Sequence, residues 1–300
     1  MSFEKLNTIA LNPEIRQINK IVTNLKPKII MTNLSSIILP VLQGMEESHL
    51  KDQLLKFLPN QEESFSKIEK SFNQLTSKVQ DKERLQRFFH SWSQTNNSAM
   101  TVAGISNRMT MLVHKNQPIA DEKALLHSIT SLNRIVDEDL AVVGRILHSQ
   151  MFYTMATTIC TDDDWLSRKY LNQSACDFKA WKDQNSLRNK DIMIALLTTL
   201  IHEIYTHGEV ELILPKFQSW LLNDYGFSEE ECDKTLAWIS VHCGPTEKNH
   251  FFFAVSSIFH YAKAMNVNLE AYDLEVIIKD YLAKKSAVME DLLEVEELSF

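Results

Sequence analysis

Apolar residues recur at three- and four-residue intervals in the stretches 15–25, 29–42, 50–57, 65–79 and 85–92. That is the period of one helix face, not the alternation of a strand. Breaks fall between these stretches at Pro13, Pro27, Pro59 with Asn60, the polar run Ser93 to Asn97, and Asn116-Gln117-Pro118. Asp121 then stands where it would cap a long helix over 122–159, ended by Thr161-Asp162-Asp163-Asp164. A further helix is predicted over 165–181, and the strongly apolar stretch 192–214 makes the next, begun by Ser186 or Asn189. Pro215 should kink or restart it, because proline lacks the N–H and crowds the preceding turn. Ser228 with Glu229, Glu230 and Glu231 has the cap and acidic first turn of a helix start. The final helix is expected over 269–293, running into an acidic tail.

Six glycines and seven prolines in 300 residues are too few for the turns of an all-β fold, so an all-α fold is expected. Residues 1–115 read as an N-terminal helical portion packed on a core formed by 116–300. With 44% hydrophobic residues the chain can bury a sizeable core. Its net charge of -8 argues against nucleic acid as a partner. Four cysteines without a CxxC pair suggest neither a disulfide framework nor a zinc knuckle, which fits a reducing cytoplasm. No run is apolar for the length of a membrane span, so no membrane association is expected.

Histidine and carboxylate meet at ligand spacing in three places. The first runs from Asp137-Glu138-Asp139 to His148; Glu138 and His148 are ten residues apart, roughly 15 Å along an unbroken helix, so they share a site only if the helix is interrupted. Gly144 is a weak point for that, and Asp137 and Asp139 compete with Glu138 for the carboxylate role. In the second, 202–211, a helical projection puts Glu211 near the middle of an apolar face, with Glu203 and His207 along its edge and His202 and Glu209 pointing away. A carboxylate on such a face must be paired or bound to a cation, so Glu211 either accepts a bond from a core Tyr or Arg or holds a metal. The third is His242-Cys243-Gly244-Pro245-Thr246-Glu247-Lys248-Asn249-His250. Glu247 and His250 share a helical face, whereas His242 swings off it unless Gly244-Pro245 bends the chain. Otherwise this segment is a helix break carrying two solvent-facing histidines.

Taken together the segments resemble the haem-oxygenase-like di-iron oxidases and oxygenases, the iron-containing redox enzymes. That family's motif is a Glu, a His ten residues on, a Glu on a later helix, and a His-xxx-Asp-xx-His cluster about thirty residues beyond. Here Glu138 and His148 match the first pair, Glu211 precedes His242 by thirty-one residues, and Glu247 with His250 matches the carboxylate-xx-His end. The closing cluster has one extra residue and Glu for Asp, and Arg145 stands where some relatives carry another carboxylate. The match spans about 120–265.

The resemblance implies a haem-oxygenase-like helical bundle with additional N-terminal helices. It also implies a metal site of Glu138, His148, Glu211, His242, Glu247 and His250. Imidazole with carboxylate suits Fe(II), two per chain, or Mn(II). Met151, Phe152, Tyr205, His207 and Phe251 are candidate pocket residues. By the same likeness the partners would be dioxygen and a small organic substrate, an amino acid derivative or a fatty acid, with room for an electron donor and a homodimer. Two rival readings stand beside it: a metal-free enzyme like the thiaminase or pyrroloquinoline-quinone-forming relatives, and a non-catalytic helical interaction protein.

Overall fold

A computed structural model describes residues 33–96, 98–115, 117–140 and 146–292, all within one compact unit. The stretch 15–25, the weak point at Gly144, Arg145 and the acidic tail lie outside the described residues. Among the described residues there is no strand.

Thirteen α-helices follow one another among them: α1 Leu34–Gln43, α2 His49–Phe57, α3 Glu62–Leu75, α4 Lys82–Thr95, α5 Ala99–His114, α6 Glu122–Asp139, α7 His148–Cys160, α8 Gln173–Asp183, α9 Ile192–Asn223, α10 Glu229–Thr235, α11 Ala237–His242, α12 Pro245–Met265 and α13 Leu274–Asp291. Their starts use the expected chemistry. Asp121 accepts from the Ala124 N–H, and Ser228 forms a reciprocal capping box with Glu231. The cap of α9 is neither Ser186 nor Asn189 but Asp191, which accepts from the Met193 N–H.

Helix α9 is the axis. It runs 32 residues, roughly 48 Å at helical rise, and from Ile192 to Val210 every residue but Ile194 is buried. Pro215 does not restart it. The proline is exposed, and the helix continues through it to Asn223. Gly208 allows α1 to cross α9 closely, since a Cβ there would meet Ile38 Cγ1 at 2.8 Å. Helix α12 packs along both α6 and α9, and helices from both sides of residue 115 contribute to one continuous core. Phe72, Phe88, Phe89, Trp92 and Phe217 meet there mostly edge-on or tilted, at centroid distances of 5.2–6.5 Å.

Three expected helices are divided. The one over 122–159 stops at Asp139 and resumes at His148, which removes the separation of Glu138 from His148 along a single rod. The one over 165–181 becomes two 3-10 turns followed by α8. The one carrying His242 to His250 ends at His242 and restarts with Pro245 in its first turn. Gly244 between them has φ 71° and ψ -124°, a backbone region reserved for glycine.

Candidate metal centre

Two of the helix breaks, after Asp139 and at Gly244, deliver ligand-type side chains to one region. The C-terminal end of α6 brings Glu138 and Asp139, the first residue of α7 is His148, and the last of α11 is His242. Glu247 and His250 lie one turn apart on α12, and α9 contributes Glu203.

The donor atoms fall into two groups, each within 4.8 Å: Asp139, His148 and His242, and then Glu203, Glu247 and His250. In the first, His148 Nδ1 lies 3.1 Å from Asp139 Oδ1 and His242 Nε2 lies 3.9 Å from the same oxygen. In the second, His250 Nδ1 stands 3.7 Å from Glu203 Oε2 and 3.6 Å from Glu247 Oε2. Glu247 belongs to both neighbourhoods, because its other oxygen is 3.7 Å from His242 Nε2.

The outer nitrogens are held. His242 Nδ1 lies 2.6 Å from the Trp238 carbonyl, so it donates there and leaves Nε2 with a lone pair toward Asp139 and Glu247. His250 Nε2 is 3.0 Å from Glu138 Oε2, an arrangement that orients the ring with a carboxylate behind it.

Electrostatics set the group apart from ordinary packing. Glu203, Glu247, His242 and His250 are buried and Asp139 nearly so. Burial pushes Glu247 up to about 8, helped by the charges of Glu203 and Asp139 and opposed by His250. Burial also drives His242 down to about 4, so it is neutral near pH 7. His250 is the reverse: burial would lower it, but Glu247, Glu138 and Glu203 outweigh burial and raise it well above the usual imidazole range. Asp139 is pushed up by burial yet ends below its ordinary value, because His148 donates to it and His250 and His242 lie near.

Glu203 Oε1 and Glu247 Oε2 are buried without a hydrogen-bond partner. An unsatisfied buried carboxylate oxygen is costly, and a cation is one of the few groups that relieves it. The residues therefore fit a divalent metal. The first group is two imidazoles and one carboxylate, a set that suits Fe(II) or Mn(II), and two divalent ions would balance the four carboxylates.

The expected ligands divide as follows. His148, His242, Glu247 and His250 meet in the two groups, and Glu138 sits on the outer nitrogen of His250. Glu211 belongs to neither group: its carboxylate accepts from the Gly244 N–H and pins the turn between α11 and α12. Its place in the centre is taken by Glu203, two turns earlier on α9. Asp139, a competitor in the sequence, supplies the first group's carboxylate.

The projection of α9 misjudged other residues too. His202 and Glu209, expected to face away, are buried. Of the candidate pocket residues, Phe152 packs on Trp238 behind His242, and Tyr205 donates to Glu209. Phe251 is in the core, Met151 lies at its margin, and His207 is buried with Nδ1 unpartnered. None of the five supplies a donor to either group.

A second buried polar layer adjoins the centre. Lys182 Nζ lies 3.3 Å from His202 Nε2, and His202 Nδ1 lies 2.9 Å from the Tyr281 hydroxyl. Glu209 accepts from Trp92 Nε1 at 2.8 Å, from Tyr205, and from Lys285 Nζ at 2.9 Å.

No protein-family model matches the chain, and no curated protein matches it. Among solved structures it resembles a TenA homolog from Pseudomonas syringae pv. tomato, with a TM-score of 0.54 over 78% of this chain and 92% of that one, at 11% identity. At that identity the likeness establishes the fold alone, an all-helical one.

Proposed function

We propose that this protein is a non-haem iron oxidase or oxygenase that holds two Fe(II) ions and uses dioxygen to oxidise a small organic substrate. One observation carries the reading: a buried carboxylate, Glu247, turns one oxygen toward each of two adjoining ligand groups. When bound, two irons would supply the electrons that dioxygen takes up. Asp139, His148 and His242 would hold one ion, and Glu203, Glu247 and His250 the other. Trp238 and Glu138 fix the two imidazole orientations, and the aromatic layer behind His242 keeps water from that side.

Glu247 must give up its proton before it can serve both groups, and His250, held protonated by Glu247, Glu138 and Glu203, must release one as well before its Nδ1 can act as a ligand. The substrate class stays an amino acid derivative or a fatty acid, and an electron donor would regenerate the reduced centre. All four cysteines are unpaired, which supports the cytoplasm as its compartment. Among the described residues no helix is long and apolar enough to cross a membrane.

Protein loaded anaerobically with Fe(II) and desalted is expected to retain close to two irons per chain and to consume dioxygen. Unchanged iron content in His148→Ala, Glu203→Ala and His250→Ala would sink the assignment.

The fold of the TenA homolog favours a second reading, a metal-free enzyme in which the same carboxylates and imidazoles move protons. Protein purified without chelators and devoid of iron and manganese, yet active after chelation, would select it.

A further inference from the structure

A file of aromatic rings leads from the candidate metal centre to the surface. The His242 ring lies 4.8 Å from Trp238, centroid to centroid. Trp238 meets Phe152 edge-on at 5.0 Å and Trp92 at 5.3 Å. From there the file divides. Through Trp92 it turns inward to Glu209, Tyr205 and Lys285, all buried. Through Phe152 it reaches Trp165 at 6.1 Å, and Trp165 stands 6.2 Å from Tyr153. Trp238 and Trp165 are buried, whereas Tyr153 is 40% exposed. The Tyr153 hydroxyl points at Asp163 Oδ2, 3.4 Å away.

Indole and phenol are the side chains that most readily give up one electron, and a phenol does so more readily when a base takes its proton. The file therefore places oxidisable rings between a buried site of oxygen chemistry and solvent, with a proton acceptor at the outer end. Plain core packing explains the buried members. It does not explain an exposed tyrosine with its hydroxyl directed at a carboxylate at the end of the file.

We propose that Trp238, Trp165 and Tyr153 form an electron path that drains oxidising equivalents from the centre when dioxygen reacts without substrate. This rests on the iron reading above. Trp238 gives one electron inward to the oxidised iron, Trp165 refills Trp238, and Tyr153 refills Trp165 while its phenolic proton passes to Asp163. The net change is one electron gained by the iron and one tyrosyl radical at the surface. A hydrogen-atom donor of the ascorbate class then restores the phenol, and Asp163 returns its proton to water. Phe152 bridges Trp238 to Trp165 without being oxidised.

The test mixes Fe(II)-loaded full-length protein with dioxygen in the absence of substrate, freezes it, and records electron paramagnetic resonance beside the iron content of each sample. Wild-type protein should show a tyrosyl radical that ascorbate removes. Tyr153→Phe should lose that signal, and Trp165→Phe should lose it while gaining oxidised residues around Trp238 and His242 by peptide mass spectrometry. Iron content should be unchanged in both variants. Bound iron with no tyrosyl radical, or a radical that survives Tyr153→Phe, overturns the path alone; wild-type protein that binds no iron overturns the iron reading and the path with it.

Discussion

The carboxylate of Glu247 stands 3.6 Å from His250 Nδ1 through one oxygen and, through the other, 3.7 Å from His242 Nε2 across the helix break at Gly244. No other side chain of the two ligand groups turns a separate donor atom toward each of them. Replacing it leaves the second group with Glu203 and His250 alone while the first keeps Asp139, His148 and His242, so Glu247→Gln should lower retained iron from about two per chain toward one, whereas metal counts per chain for Glu211→Gln should match wild type. In the latter variant the new amide oxygen can still accept from the Gly244 N–H, the hydrogen bond that Glu211 makes there. Equal loss in both variants would mean that the projection-based choice of Glu211 was right and the geometry of the centre wrong.

The metal-free protein carries a pH dependence whose sign follows from two buried groups. Glu247 titrates at about 8 when folded against an ordinary value of 4.5, so between those values the folded chain binds more protons and its stability falls as pH rises. His242 acts oppositely: folded at about 4 against 6.5, it costs stability as pH falls from 6.5 to 4. Above 6.5 the His242 contribution is finished, and Glu247, joined by the raised His250, remains. Lys182, lowered by burial to about 7, pulls the other way above that pH, so the comparison must isolate Glu247. Chelated wild-type protein should therefore lose melting temperature relative to Glu247→Gln as pH rises from 6.5 to 8. A difference that stays constant or reverses, in thermal unfolding followed by circular dichroism, would remove the buried proton from the account.

Gly244 tests the hinge between α11 and α12. At φ 71° and ψ -124° a side chain is strained even though an added Cβ would meet nothing within 4 Å. Gly244→Ala should therefore cost about 1–3 kcal/mol by urea unfolding. If the strain is relieved by turning His242 away, iron retention should drop as well; a variant of wild-type stability would show that the turn is not held in this conformation.

The helical class was readable because apolar spacing over long stretches has a single physical cause, and four members of the two groups, His148, His242, Glu247 and His250, were readable as ligand types at helical spacing. What failed was projection. A helix buried on every side has no apolar face to define a direction, so on α9 the choice among Glu203, Glu209 and Glu211 could not be made from periodicity. Asp139 and Glu138 are neighbours projecting about 100° apart on a helix, and which of them faces His148 depends on where the chain turns after α6. The break at Gly244 had a visible cause, but the contact that the two breaks create between distant helices belongs to tertiary packing.

Lys285 and Glu209 give the last test, of the layer beside the centre. Both are buried, with Lys285 Nζ 2.9 Å from Glu209 Oε2 and 2.7 Å from Thr95 Oγ1. Burial lowers the Lys285 pKa, and the Glu209 charge holds it partly up. Removing one partner leaves an uncompensated charge in the core, so Lys285→Met should cost about 3–5 kcal/mol in urea unfolding. In the double variant Lys285→Met with Glu209→Gln, the amide oxygen still accepts from Trp92 or Tyr205 and no charge remains buried. Most of the lost stability should return, giving a coupling energy of about 3 kcal/mol or more in the double-mutant cycle. Additive single costs would instead mean that the ion pair contributes nothing beyond the packing of its two side chains.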